Sequence, residues 1–95
     1  MQKNFPLQVS GRDDARVRDK IRQEINKYVR RERRKPLPED FNLWEFNCRV
    51  GATRETAEAR PFKEVGGEID AVAATGATAV YVEVMAVPGQ RKPRG

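Results

Sequence analysis

No histidine occurs anywhere in the 95 residues. Its absence removes the commonest general acid/base and the commonest imidazole metal ligand together. A single cysteine, Cys48, excludes an internal disulfide framework and a zinc site of the usual Cys/His kind, and it fits a reducing compartment. The longest apolar stretch is the short run around VYVEVMAV, far below the roughly 20 residues of a spanning helix. The first residues carry no signal-peptide hydrophobic region, so a cytoplasmic location is expected. Gly66-Gly67 is the only paired glycine and lacks both phosphate-loop spacings. Acids such as Glu55, Glu58, Glu64, Glu68 and Asp70 are scattered, as solvated carboxylates usually are. No catalytic residue, metal ligand or cofactor is therefore expected, and the protein reads as a non-enzyme.

What is present is a polar, foldable chain, with 38% hydrophobic and 35% charged residues. Its length suits one domain with one core, expected over residues 1–89, followed by a flexible basic tail at 90–95. Phe5, Leu7 and Val9 alternate as in a half-buried strand, and Pro6 points to a sheet edge or an outward-facing side. Ser10 followed by Asp13 forms a capping-box pattern, which predicts a helix starting at Ser10 to Arg12. Val17, Ile21, Ile25, Tyr28 and Val29 then recur at helical spacing, and Pro36 stops the helix. Trp44, Phe46, Cys48 and Val50 share one face of a second strand; Cys48 there reads as a small buried hydrophobe. Residues 53–59 form either a weak additional strand or a loop. Pro61 opens a second helix with Phe62, Val65, Ile69, Val72 and Ala73 inward. Gly66 and Gly67 either let it approach the sheet closely or move its start toward Glu68. Val80, Val82, Val84 and Ala86 define a last strand over residues 78–87.

The expected fold is a two-layer α+β sandwich with both helices on one face, in the βαββαβ order of ferredoxin-like proteins. The alternative is a three-stranded mixed sheet in the order βαβαβ. An RNA recognition motif would share the first order, but the third strand has no aromatic residue to stack on bases, and the GxxG loop of a KH domain is also missing.

Charge is unevenly placed. Residues 1–35 carry a net +7, residues 36–90 a net −5 and residues 91–95 a further +3. The first helix carries most of the excess. Arg16, Lys20, Gln23, Lys27, Arg30 and Arg34 advance by three or four residues and form one column, roughly 27 Å long at the helical rise. Arg31 adds to it. Cations at a helix C-terminus offset its dipole, and Asp19, Glu24 and Glu32 offer local ion pairs, so part of this pattern serves stability alone. The dipole, however, needs cations only in the last turn. Arg16, Lys20, Lys27, Arg30, Arg31 and Arg34 are therefore the candidate phosphate contacts for a nucleic-acid backbone, with RNA or a ribonucleoprotein favoured over a specific DNA site. With 7% aromatic residues and no groove-reading element, sequence specificity should be low. The competing reading is a protein-interaction module that pairs through an edge strand or through an open sheet face carrying Leu43, Tyr81, Met85 and Val87, with the basic helix meeting an acidic protein; the chain is then expected as a monomer or a weak homodimer. No membrane partner is expected.

The segments KNFPLQV, YVRRERRKPLPE, WEFNCRVG and VYVEVMAVPG, in this order, resemble a family of small uncharacterised bacterial proteins classed as a domain of unknown function. The resemblance covers essentially the whole chain and is most specific where the arginine-rich helix end runs into Lys35-Pro36-Leu37-Pro38. It implies a small α+β domain in a bacterial cytosol and carries no activity, ligand or site residue with it.

Overall fold

Val80, Val82 and Val84 are each 0% exposed, so the strand that holds them needs neighbours on both sides and a layer above. The computed structural model, which describes residues 1–90, places that strand inside a four-stranded antiparallel sheet. In chain order the elements are β1 (Gln2–Pro6), α1 (Asp14–Arg33), β2 (Leu43–Gly51), β3 (Glu58–Arg60), a 3-10 turn (Phe62–Glu64), α2 (Val65–Ala74) and β4 (Ala79–Gly89). The lateral order is β1-β4-β2-β3. The α+β class is as expected, and the segment left open between strand and loop contributes β3, which pairs Glu58, Ala59 and Arg60 with Val50, Arg49 and Cys48.

The lateral order departs from a ferredoxin-like sheet, in which β1 and β3 occupy the centre. Here both lie at the edges, for reasons visible in their side chains. Pro6 has no N–H to donate to a second neighbour, and Gln2, Lys3 and Asn4 are exposed, so β1 suits an edge. β3 has only three residues. The mixed three-stranded alternative is likewise not what forms, since every pairing is antiparallel.

One core joins both helices to one face of the sheet. Phe5, Val80, Val82, Val84, Cys48 and Val50 meet Val17, Ile21, Ile25 and Val29 of α1 and Val65 and Ile69 of α2. Each of these fully buried aliphatic side chains contributes about 1.5–3 kcal/mol relative to exposure. Tyr28, expected on the same stripe, is only half-buried at its margin.

The helix starts differ from the sequence expectation. Leu7 is buried, and its N–H donates to Thr78 O at 2.8 Å, but the strand has already ended at Pro6. A turn follows, with Arg12 N–H donating to Val9 O at 3.0 Å and Gly11 at a φ of 77°. This turn consumes Ser10, so the cap passes to Asp13, whose carboxylate accepts from Ala15 N–H at 3.2 Å. Pro61 stays extended and leads into the 3-10 turn, so α2 begins at Val65. Gly66 sits inside α2, and its close approach is to α1: an added Cβ would lie 3.4 Å from Arg22 Nε, and its carbonyl accepts from Arg22. Gln90 donates through its side chain to Asp40 O. Residues 91–95, where most of the expected basic tail falls, lie outside the described residues. Among the described residues no helix is long and apolar enough to cross a membrane.

Candidate nucleic-acid interface

α1 has three kinds of flank because its 20 residues combine one apolar stripe with charges on both sides. The apolar stripe faces the sheet. On the side toward α2, Arg18 and Arg22 converge on the Asp70 carboxylate, with Arg18 Nε at 3.0 Å and Arg22 in direct contact. Arg22 also donates to Asp19 at 3.1 Å and to Gly66 O at 3.3 Å. These two arginines are answered by acids and serve to dock the helices.

The opposite flank is different. Arg16, Lys20, Lys27, Arg30, Arg31 and Arg34 are all exposed, and none forms an ion pair among the described residues. The acids that might have neutralised them are committed elsewhere. Asp19 binds Arg22, Glu24 binds Lys3 of β1 at 2.6 Å, and Glu32 binds Lys35 at 2.6 Å. The Lys35 hydrogen bond, ahead of desolvation and neighbouring charges, holds the Glu32 carboxyl below the usual carboxylate range. Among the described residues the column thus carries six cations without an ion-pair partner along roughly 27 Å of helix, with Asp13 and Glu24 the acids that line the same side.

Three open-sided concavities follow this flank. The first, of about 750 Å³, lies where Arg12, Arg16 and Lys20 face Phe5 and Pro6 of β1. A second, of about 510 Å³, is lined by Lys20, Gln23, Glu24, Lys27 and Arg30. The third, of about 500 Å³, is lined by Met1, Glu24, Lys27, Tyr28, Arg30, Arg31 and Arg34. Shared residues join them end to end into one groove beside the β1 edge. All six candidate cations line it. Arg12 and Tyr28 also belong to it and were not singled out from sequence. Arg12, in the turn before α1, lies beside Arg16 there; Tyr28 packs against the margin of the core, as its place on the apolar stripe predicts, and its ring also carries the Arg31 guanidinium 5.8 Å from its centroid. Burial, with help from the Glu32 charge, pushes the Tyr28 phenol above its ordinary value of 10.0.

The helix end is framed by aromatic side chains from the sheet. Arg33 lies 5.4 Å from the Phe46 ring centroid, and Trp44 Nε1 donates to Lys35 O at 3.0 Å. Trp44 thus receives the chain leaving α1. A family model described as "Family of unknown function (DUF6172)" matches residues 1–95. The chain belongs to this family. No curated protein and no solved structure matches it. The family description brings no activity, so the chemistry of the DUF6172 fold has to be read from its own surfaces.

The open face of its sheet is the second surface of interest. Leu43, Glu45, Asn47 and Arg49 of β2 stand opposite Gly89, Val87, Met85 and Glu83 of β4, as the alternation predicts. Tyr81 is only 3% exposed, however. Its hydroxyl donates to Glu83 Oε1 at 2.8 Å, and Arg49 donates to Ala57 O at 2.9 Å. The loop after β2 folds back over this end of the sheet, which explains Gly51: a Cβ there would lie 2.6 Å from Ala57 Cα. The exposed apolar element that remains is Met85, 51% exposed, beside half-buried Leu43 and Val87. Cys48 faces the core, and burial pushes its thiol above the ordinary value of 9.0. A thiol so placed is a poor nucleophile.

Proposed function

We propose that this domain is a non-enzymatic nucleic-acid-binding protein of the cytoplasm, which lays α1 along a phosphate backbone and favours RNA or ribonucleoprotein over a defined DNA site. One observation carries this reading: six exposed cations share a groove, while the acids of α1 beyond its first turn are engaged by other cations. Arginine and lysine held without a partner displace the counterions condensed on a phosphate backbone when they neutralise it, and that release is the main source of non-specific affinity. Cations already bound to carboxylates gain much less. The contacts available are to phosphate rather than to base edges, so the interaction should tolerate many sequences.

A second reading rests on Met85, the exposed apolar residue of the open sheet face. It would seat a protein partner or a second copy of the chain. Binding of labelled single-stranded RNA and duplex DNA at 50 mM salt separates the two. The first reading expects binding that is weakened in Arg30→Glu/Arg34→Glu, with a flatter salt dependence, and kept in Met85→Ser. No binding at 50 mM salt would end it.

A further inference from the structure

The cations of α1 are not evenly distributed along the groove. Lys27, Arg30, Arg31 and Arg34 follow the spacing i, i+3, i+4, i+7, which places four charges on one face within roughly 10 Å of helix axis. The first half of the groove has Arg12, Arg16 and Lys20 with the Asp13 carboxylate beside them, and then the neutral Gln23. A phosphodiester carries one negative charge, so the C-terminal cluster exceeds what a passing backbone requires.

Building on the backbone-binding reading above, we infer that this cluster is a pocket for the terminal phosphomonoester of a nucleic-acid strand. A phosphomonoester carries close to two negative charges at neutral pH and three acceptor oxygens, against one charge and two free oxygens in a diester. Four convergent cations suit the terminal phosphate and the first diester next to it. The open-sided concavity they line, about 500 Å³, has room for a phosphate group and the nucleotide that carries it. Arg31 is braced over the Tyr28 ring, so less side-chain freedom is lost when it binds. Glu24 is the one acid on the rim, and Lys3 neutralises it at 2.6 Å. Glu32, on the next turn, is turned to Lys35 and its side chain is 12% exposed. The groove therefore has a polarity of charge, lower around Arg12 and Arg16 and higher toward Arg34.

The test compares oligonucleotides of one sequence bearing a 5′-phosphate, a 3′-phosphate or only hydroxyl ends, by fluorescence anisotropy at fixed salt. One additional charge-assisted hydrogen bond makes a phosphorylated end bind about tenfold tighter at pH 7.5. The two phosphorylated forms show which terminus is taken. The advantage should shrink at pH 5.5, where the phosphate, with a second pKa of about 6, regains its proton. The charged and titratable groups around the pocket are the Met1 amino terminus, which donates to the Tyr28 hydroxyl at 3.4 Å and to Val84 O at 2.7 Å, and Lys3, Glu24, Lys27, Tyr28, Arg30, Arg31, Glu32, Arg34 and Lys35; the chain has no histidine, and the hydroxyl-ended strand measured at both pH values subtracts the response of the protein's own groups. Arg31→Gln/Arg34→Gln should abolish the preference while still binding hydroxyl-ended strands through the rest of the groove. Equal affinity for all ends, or a preference that survives in the double variant, overturns the pocket and leaves backbone binding intact. Failure of every strand to bind at low salt removes both.

Discussion

Neutralising cations that have no partner should change the salt dependence of binding, whereas neutralising cations that already have one should not. The structure supplies matched pairs for this comparison on the same helix. Among the described residues Arg30 and Arg34 are exposed and form no ion pair, whereas Arg18 and Arg22 converge on Asp70. If all six candidate cations contact phosphates, the logarithmic salt slope on a single strand is about −4.2, and raising salt from 50 to 200 mM weakens binding roughly 300-fold. Arg30→Gln/Arg34→Gln leaves four contacts, a slope of about −2.8 and a loss of roughly 50-fold over the same range. Arg18→Gln/Arg22→Gln removes the same two formal charges but should leave the slope near −4.2, while lowering stability by releasing Asp70 and Gly66. Anisotropy titrations of a labelled 20-nucleotide RNA at four salt concentrations, with urea unfolding of each variant, measure both quantities. Equal slopes for the two double variants would refute the reasoning, because binding would then follow net charge rather than the groove.

Four further outcomes are expected. Ile69→Ala, at a side chain 0% exposed, should cost about 2–5 kcal/mol in urea unfolding. Asp13→Ala should cost about 1 kcal/mol and Ser10→Ala a few tenths, since the cap is Asp13. Gly51→Ala should destabilise by about 1–3 kcal/mol and raise the exposure of Tyr81, read by its fluorescence, because the new methyl group meets the Ala57 backbone. Cys48, Tyr28 and Tyr81 all titrate above their ordinary values through burial, with Glu32 adding to the shift of Tyr28 and Glu83 to that of Tyr81. Their contribution to stability is therefore complete below pH 9.0 and declines as alkaline pH rises through the raised values, whereas that of Glu32, whose value is lowered, declines as pH falls below 4.5. Unfolding free energies measured from pH 3 to 11 should follow that profile, and Cys48 should react with a thiol reagent only on unfolding.

The periodic parts of this fold were legible in the sequence. Val17, Ile21, Ile25 and Val29 announce one face of α1, and Val80, Val82 and Val84 one face of β4, because burial imposes the period of the backbone. The lateral order was harder. Strand neighbours are decided by which edges can be left bare, and the only local hint was Pro6, which favoured an edge position at odds with a ferredoxin-like centre. Ser10 misled as a cap because the preceding turn claims it, a conformational event that the capping pattern does not encode. For the groove, the spacing of Arg16, Lys20, Lys27, Arg30 and Arg34 was sufficient to align them. It was not sufficient to separate them from Arg18 and Arg22, whose partner Asp70 lies 48 residues from Arg22. Nor did it reveal that Lys3 removes Glu24 from the column, a contact that exists only once β1 lies beside α1.

The bare edges have a consequence for crowding. A protein that binds a polyanion without much regard to sequence will be concentrated along it, copy beside copy, at densities that bring sheet borders together. Exposed borders of that kind can seed fibrous assemblies. Here one border ends in Pro6 and carries Lys3, and the other is three residues long with Glu58 and Arg60 on it. As edge strands, neither β1 nor β3 offers a long ladder of free donors and acceptors for a growing fibre to copy, so copies drawn together on a polyanion in the way proposed would disperse again when it is removed.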